Sequence, residues 1–250
     1  MKIVFLGATK GIGRALARRM AERGNELFLL GRDVADLERS ARDLEVRGNR
    51  DGGAIKVGVC DLGTPSGPAG FARALDEATT ALGEFDTVVI TAGVFATQDR
   101  LEADSALTET MLTANFTGTV LFCEEARRRL LARGGGTLCV FSSVAGERGR
   151  KPVVLYGAAK AGLSAYLEGL DHKFRAQGLK VITVKPGFVK TGMTAGLRPP
   201  PFAGEPDQVA ALVLGGILRG SPVVYAPGMW RWIMTVIRCL PRFVMRRINF

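Results

Sequence analysis

The sequence predicts an α/β fold built on one doubly wound parallel sheet, because its hydrophobic pattern alternates between two kinds of segment. Short runs rich in Val, Ile and Leu recur along residues 1–226, and longer stretches with helical periodicity separate them. Runs that are apolar on both faces are typical of strands covered by helices on both sides. Of the 250 residues, 47% are hydrophobic, which is enough for one large folded domain and too many for a disordered protein.

About seven strands and six helices account for this alternation. The predicted strands cover residues 2–6, 26–30, 54–59, 87–91, 137–141, 180–185 and 223–225. The predicted helices cover residues 11–23, 33–47, 67–82, 105–133, 154–177 and 206–219. The segment 191–206 is rich in Gly and Pro, so we expect an irregular loop there that lies over the functional site. We therefore expect one domain over residues 1–226, followed by a helical tail over residues 227–250.

Three side chains in the second half of the chain suit acid–base chemistry. Tyr156 and Lys160 lie four residues apart on a predicted helix, and Ser143 lies thirteen residues before the tyrosine. Positions i and i+4 share one helix face, so both groups can point into one cleft. The pKa of a free tyrosine is about 10, and a nearby positive charge lowers it. The trio therefore predicts proton transfer at a hydroxyl or carbonyl carbon, with Ser142 as a rival for the serine.

The loop GATKGIG follows the first predicted strand and opens the first predicted helix. In this place its glycines allow a tight turn and the close approach of a dinucleotide pyrophosphate to the helix N-terminus. The loop residues expected to bind the cofactor are Gly7, Thr9, Lys10, Gly11, Ile12 and Gly13. The alternative is an ordinary glycine-rich turn.

The end of the second predicted strand favours NADP(H) over NAD(H). A ribose with a free 2′-hydroxyl is usually held by an acid at this place, whereas this chain has Gly31 followed by Arg32. Lys10 adds a second positive charge, and both cations suit a 2′-phosphate. We expect Asp33 to cap the following helix. The alternative is that Arg32 and Lys10 are solvated surface charges.

With the glycine loop, Ser143, Tyr156 and Lys160 in this order, the chain resembles the short-chain dehydrogenase/reductase family over nearly its whole length. The resemblance implies a Rossmann-type fold, hydride transfer with a nicotinamide cofactor, and a homodimer or homotetramer. It also implies that Tyr156 is the general acid in carbonyl reduction and that Ser143 polarises the substrate oxygen. Lys160 would lower the pKa of Tyr156 and contact the nicotinamide ribose.

Further segments match the family's pattern. Asn115 in ANFTG resembles the helix asparagine of the catalytic tetrad, which supports a water relay behind the lysine. Thr91, Ala92 and Gly93 resemble an Asn-Ala-Gly turn in which Thr replaces Asn, so one supporting hydrogen bond is expected to differ. The remaining cofactor contacts that the resemblance implies are Asp61 and Leu62 at the adenine, Ala92 and Gly93, and Pro186, Gly187, Val189 and Thr191 beside the nicotinamide.

Residues 227–250 form a basic and apolar tail. The net charge of the chain is +10, and half of it comes from five arginines in this tail, which contains no acid. The predicted helix carries a polar stripe of Arg231, Thr235, Arg238, Arg242 and Arg246, and its remaining surface is apolar. Pro241 should kink or divide the helix, which is too short to span a bilayer. The pattern favours peripheral contact with an anionic membrane over packing on the domain or an oligomer contact, and nucleic-acid binding is not expected.

Three segments, SSVAGERGR, VKPGFVKTGMT and the tail, are similar to a narrower group, the decaprenylphosphoryl-2-keto-erythro-pentose reductases. That likeness implies a lipid-linked sugar ketone as substrate. Two alternatives stay open: reduction of another lipid ketone of the 3-ketosphinganine type, and an NADP-binding regulator without turnover. Four widely spaced cysteines and the absence of a signal pattern favour a cytoplasmic protein, on the inner face of the membrane and without a metal site. The single histidine, His172, is expected at the surface.

Overall fold

A seven-stranded parallel sheet forms the centre of the computed structural model, which describes residues 1–49, 52–64 and 67–248. The strands are β1 (Lys2–Leu6), β2 (Glu26–Gly31), β3 (Lys56–Val59), β4 (Thr87–Ile90), β5 (Gly136–Phe141), β6 (Leu179–Pro186) and β7 (Val223–Ala226). Their spatial order is β3-β2-β1-β4-β5-β6-β7, so the order reverses between β1 and β4. This confirms the predicted Rossmann-type sheet, and such sheets bind ligands beyond the carboxyl ends of their strands.

Helices cover both faces of the sheet. They are α1 (Gly11–Glu22), α2 (Val34–Arg47), α3 (Gly67–Leu82), α4 (Gln98–Ala103), α5 (Ser105–Leu112), α6 (Gly118–Ala132), α7 (Val154–Phe174), α8 (Pro206–Arg219), α9 (Trp230–Cys239) and α10 (Arg242–Met245). One buried layer packs α1, α2 and α8 against the sheet, and a second packs α3, α6 and α7 against its other face. The two layers explain why the strands are apolar on both sides.

The structure divides two of the predicted helices. The predicted helix 105–133 consists of α5, a π-helical turn (Thr113–Thr117) and α6, while α4 was not predicted. The predicted helix 154–177 ends as α7 at Phe174 and continues as a short 3-10 turn. Asp33 caps α2 as predicted, because its side chain accepts a hydrogen bond of 2.9 Å from the backbone N–H of Asp36.

The tail folds into α9 and α10, which Pro241 separates as predicted. A buried cluster joins the tail to the loop after β5: Val144, Trp230, Met234 and Ile237. The tail therefore packs on its own domain, which is the alternative to membrane contact that the sequence left open. The opposite face of α9 stays exposed, with Trp232 at 71% and Val236 at 64%. None of the helices in the described ranges is long and apolar enough to cross a membrane, and residues 249–250 of the predicted tail lie outside these ranges.

Candidate active site

The glycine loop between β1 and α1 is shaped by contacts that only glycine allows. Gly7 has a φ of 101°, in the left-handed region that disfavours side chains. A Cβ on Gly13 would lie 2.1 Å from the carbonyl oxygen of Gly7, so the first turn of α1 packs directly on the loop backbone. Lys10 precedes α1 without capping it through its side chain, which leaves the helix N-terminus available to an anion. The loop therefore fits a dinucleotide pyrophosphate.

Two of the other predicted loop contacts have structural roles. The carbonyl oxygen of Thr9 accepts a hydrogen bond of 2.7 Å from Nε of Arg14, which holds the loop against α1. Ile12 packs on the hydrophobic core. A Cβ on Gly11 would lie 3.2 Å from Cγ2 of Thr191, so the structure brings the glycine loop next to the segment after β6, as the resemblance implies.

The turn after β4 is locked from two sides. Oγ1 of Thr91 donates a hydrogen bond of 2.9 Å to the carbonyl oxygen of Gly7. The threonine therefore links this turn directly to the glycine loop. Asn115 is fully buried in the π-helical turn, and its amide donates to the carbonyl oxygen of Val94 at 2.6 Å and accepts from the N–H of Val94 at 3.0 Å. A Cβ on Gly93 would lie 2.7 Å from Oδ1 of Asn115. The π-helical turn thus places the amide of Asn115 against Gly93 and Val94 in the loop after β4. Such turns often occur at functional sites.

Ser143 begins a 3-10 turn (Val144–Glu147) after β5, and its Oγ accepts a hydrogen bond of 3.0 Å from the N–H of Ala145. Its hydroxyl also lies near Tyr156, where it acts to lower the pKa of the phenol. Ser142, the rival candidate, is turned away and buried, because its Oγ donates to the carbonyl oxygen of Lys160 at 2.9 Å and meets Ser164 at 2.7 Å. Only the hydroxyl of Ser143 is therefore placed beside the phenol of Tyr156.

Burial sets the pKa values of the other two candidate groups. Desolvation raises the pKa of Tyr156 to about 12, and the hydrogen bond with Ser143 acts in the opposite direction. Desolvation lowers the pKa of Lys160 to about 8. Nζ of Lys160 donates to the carbonyl oxygen of Phe141 at 2.9 Å and lies 5.8 Å from the centre of the Tyr156 ring. Burial therefore dominates the pKa of Tyr156, and the lowering by Lys160 that the resemblance implies stays a prediction.

The part of the site that is predicted to face the adenine ribose contains both predicted cations and one acid that was not predicted, Asp36. Nζ of Lys10 lies 3.1 Å from Oδ2 of Asp36, and the lysine side chain remains 75% exposed. Arg39 pairs with the same carboxylate, and the hydrogen bonds from Lys10 and Arg39 lower the pKa of Asp36. Arg32 is exposed at the end of β2.

The predicted adenine-contacting pair follows β3. Asp61 lines a cavity between α2, β3 and α3, and its Oδ1 accepts a hydrogen bond of 2.9 Å from the N–H of Gly63. Leu62 is buried, and its carbonyl oxygen lies 2.1 Å from where a Cβ on Gly118 would be. The pair thus packs against the start of α6. It follows the carboxyl end of β3, at the same edge of the sheet as the other predicted cofactor-binding residues.

The segment after β6 is held by two residues that were not predicted as part of the site, Glu147 and Trp230. Nζ of Lys185 donates to Oε1 of Glu147 at 2.8 Å, and the hydroxyl of Ser143 lies 3.4 Å from the carbonyl oxygen of Pro186. The indole of Trp230 covers Gly187, where a Cβ would lie 1.9 Å from Nε1. Only the glycine in the PG pair hinted at such close packing, and nothing in the sequence indicated that the tail supplies the covering ring.

Beyond Gly187, the segment leads into the predicted loop 191–206. Val189 pairs with Gly204 across the predicted loop 191–206, so this loop is anchored at both ends. The backbone N–H of Thr191 donates to Oγ1 of Thr194 at 3.1 Å. The loop is otherwise irregular, as predicted, apart from one short 3-10 turn.

Comparisons with known proteins agree with this geometry. A family model described as short chain dehydrogenase matches residues 1–201. The chain is 32% identical over 246 residues to an uncharacterized oxidoreductase of Mycobacterium tuberculosis, covering 98% of this chain and 96% of that protein. It is 34% identical over 256 residues to an uncharacterized oxidoreductase of Streptomyces coelicolor, covering 98% and 95%. A solved short-chain dehydrogenase from Sphingobium yanoikuyae, in complex with NADPH, has a TM-score of 0.81 at 25% identity and covers 99% of this chain and 96% of its own.

Proposed function

Since this chain belongs to the short-chain dehydrogenase family and is an oxidoreductase of that family, we propose that it is an NADPH-dependent reductase of a ketone carried by a membrane lipid. The narrower substrate that we propose is a lipid-linked sugar, of the type used by decaprenylphosphoryl-2-keto-erythro-pentose reductases. The reductase proposal depends on the placement of Ser143 beside Tyr156, with Lys160 one helical turn further on α7.

The candidate side chains have separate roles in the proton transfer of carbonyl reduction. When bound, the reduced nicotinamide supplies the hydride. Tyr156 is protonated at neutral pH, because its pKa is about 12, so its hydroxyl donates the proton to the carbonyl oxygen. Ser143 donates a hydrogen bond to the same oxygen and stabilises the developing alkoxide. Lys160 places a positive charge beneath the ring of Tyr156 that favours the phenolate left behind, and Asn115 holds the neighbouring loop.

The proposed cofactor is NADP(H), with NAD(H) less favoured. The close packing of Gly7 and Gly13 and the uncapped start of α1 suit the pyrophosphate. Lys10 and Arg32 are exposed beside the end of β2, where charge-assisted hydrogen bonds can reach a 2′-phosphate. The Sphingobium yanoikuyae relative binds NADPH, which supports the same preference here.

Exposed apolar side chains near the carboxyl edge of the sheet support a membrane-borne substrate. Trp232, Val236 and Phe243 of the tail are 71%, 64% and 61% exposed, and Met193 and Phe202 of the loop after β6 are 48% and 47% exposed. Both segments leave the edge at which Ser143 lies, because the strands are parallel and the segments follow β6 and β7. Exposed large apolar side chains that share one edge of the domain favour contact with a partner or a membrane.

The charge of the tail favours an anionic lipid surface over another apolar partner. Five arginines stand in residues 227–248 without any acid, and Arg231, Arg238 and Arg242 are exposed beside the apolar side chains. Each arginine near an anionic leaflet is worth about 1 kcal/mol of binding free energy. A helix with tryptophan and arginine on its open face suits the headgroup region.

The reductase proposal is tested by NADPH oxidation with 2-decanone as the probe. Tyr156→Phe removes the proton donor and should lower kcat by about 10²–10⁴-fold. Tyr166→Phe is the matched control on the same helix, since its hydroxyl bonds Glu124 at 2.8 Å, away from the trio, and it should keep the activity. Equal turnover by Tyr156→Phe and the unchanged enzyme would refute the assigned chemistry.

The membrane proposal is tested by sedimentation with phosphatidylserine and phosphatidylcholine vesicles. The full chain should sediment with the anionic vesicles, and the double variant Trp232→Ser/Val236→Ser should lose at least about tenfold in partition coefficient, because two exposed apolar groups leave the interface. Val46→Ser is the control, since Val46 is 82% exposed on α2, far along the chain from the tail. If the full chain does not sediment with anionic vesicles, the membrane proposal is wrong while the reductase proposal stands.

A further inference from the structure

Three consecutive residues at the end of β6 each meet a side chain from another segment. Lys185 pairs with Glu147 at 2.8 Å, the carbonyl oxygen of Pro186 faces Ser143 at 3.4 Å, and Gly187 lies under the indole of Trp230. The N–H of Gly187 bonds the carbonyl oxygen of Ala226 at 3.1 Å, so the extended backbone continues to this glycine. Alternate residues of an extended segment point to one face. Glu147 and Trp230 are thus brought to the same face of β6, on either side of the residue that Ser143 contacts.

That face is the one that carries the proton donor. Leu179 and Val181 have the same parity along β6 as Lys185 and Gly187, and they pack in the buried layer with Leu163 of α7. The helix α7 also carries Tyr156. Glu147 and Trp230 therefore lie on the Tyr156 side of the sheet, beside Ser143.

Each of these two residues has one buried polar atom with unused hydrogen-bonding capacity. The side chain of Glu147 is only 3% exposed, and its Oε1 accepts hydrogen bonds from Lys185 at 2.8 Å and from the hydroxyl of Tyr225 at 2.5 Å. Within the described ranges, Oε2 of Glu147 and Nε1 of Trp230 are buried and have no hydrogen-bond partner. Leaving such a group unpaired costs about 1–3 kcal/mol, and native proteins keep few of them without a functional reason.

The two atoms are chemically complementary. A carboxylate paired with lysine only accepts hydrogen bonds, and an indole N–H only donates them. A hydroxyl group both accepts and donates, whereas a second carbonyl only accepts and an ammonium only donates. A hydroxyl group is therefore the one whose hydrogen-bonding capacity matches both atoms.

We propose that Glu147 and Trp230 form a subsite for a hydroxyl group of the substrate, so that the preferred substrate is an α-hydroxy ketone. Ser143 contacts Pro186, the residue between Lys185 and Gly187, and on this basis the hydroxyl is assigned to the carbon next to the carbonyl that Ser143 holds. The subsite rests on the proposed reductase function and names the substrate class of that same site. The hydroxyl donates to Oε2 of Glu147 and accepts from Nε1 of Trp230.

The test compares two ketones that differ by one hydroxyl group, 1-hydroxy-2-decanone and 2-decanone, in NADPH oxidation. The enzyme should prefer the hydroxy ketone by at least about tenfold in kcat/KM, since a site built for a hydroxyl rejects the analogue that lacks it. Trp230→Phe keeps a ring on Gly187 without the N–H donor, and it should reduce this preference by about 3–10-fold. Glu147→Gln keeps one oxygen for Lys185 and replaces the free acceptor by a donor, and it should reduce the preference by about 10–100-fold.

The outcomes separate the subsite from the function on which it rests. Tyr166→Phe is the matched control, because its hydroxyl bonds Glu124 at 2.8 Å on the far part of α7, and it should retain the hydroxyl preference. Equal kcat/KM values for the two ketones in the unchanged enzyme overturn the subsite alone. Equal losses for both ketones in Trp230→Phe and Glu147→Gln mean a purely structural role and also overturn it. If neither ketone supports NADPH oxidation, the proposed reductase function fails and the subsite fails with it.

Discussion

The half of the sheet formed by β1–β4 and the half formed by β5–β7 build their parts of the site in different ways. In the first half, backbone packs on backbone: the Cβ that Gly13 lacks would overlap the carbonyl oxygen of Gly7 at 2.1 Å. In the second half, side chains from distant segments meet, as Glu147 meets Tyr225 across 78 residues. Backbone packing leaves a local sequence pattern, while long-range side-chain packing does not.

The difference has a functional counterpart. The glycine loop must accept a cofactor pyrophosphate that varies little between enzymes, so a fixed backbone cradle is suited to it. The substrate side must fit one particular ketone, and side chains from β6, β7 and α9 provide that shape. The tail belongs to the β5–β7 part of the site, because Trp230 covers Gly187 beside Ser143.

The same substitution in each half should give the largest contrast. Gly13→Ala places a methyl group 2.1 Å from backbone that cannot move aside, so the whole domain should lose about 2–4 kcal/mol of unfolding free energy. Gly187→Ala places a methyl group 1.9 Å from the indole of Trp230. This clash can be relieved when the tail helix α9 detaches from the domain. Its domain should therefore stay folded while trypsin cuts after Arg231 and Arg238 at least about tenfold faster, because an undocked helix is cleaved readily.

Thermal unfolding and mass spectrometry of the tryptic peptides measure the two effects. Gly228→Ala is the matched control within the tail, since no atom lies within 4 Å of the added Cβ. A Gly187→Ala protein whose tail resists trypsin as well as the control would show that Trp230 adjusts in place. A Gly13→Ala protein with unchanged stability would remove the proposed contrast between the two halves.

The sequence predicted the fold well, because the parallel sheet depends on local periodicity. The strand set, the capping of α2 by Asp33 and the separation of the tail by Pro241 all depend on neighbouring residues. The division of the predicted helix 105–133 was not predicted, because the π-helical turn that holds Asn115 has the sequence TANFT, without a Gly or Pro that would indicate an interruption.

The sequence named candidate side chains for the site but not their electrostatics. Local spacing pointed to Ser143, Tyr156 and Lys160, and their mutual placement agrees with that spacing. The raised pKa of Tyr156 depends on how much protein surrounds the phenol, which one sequence does not reveal. Glu147 and Trp230 were missed for a similar reason: their partners, Lys185 and Gly187, are far along the chain.

The smallest expected effect concerns the cofactor preference, which depends on exposed charges. Arg32→Ala should weaken NADPH binding by about 5–30-fold and leave NADH binding nearly unchanged, because a charge-assisted hydrogen bond to the 2′-phosphate is worth about 1–2 kcal/mol at an exposed site. Lys10→Ala should have a smaller effect, since Asp36 already pairs with Lys10 at 3.1 Å. Arg39→Ala is the control, because Arg39 pairs with Asp36 on α2 and is not among the residues expected to meet the phosphate. Fluorescence titration with both cofactors measures these constants; equal weakening of NADPH and NADH by Arg32→Ala would mean that Arg32 contacts a part shared by the two cofactors, and the glycine loop alone would then leave the choice of cofactor open.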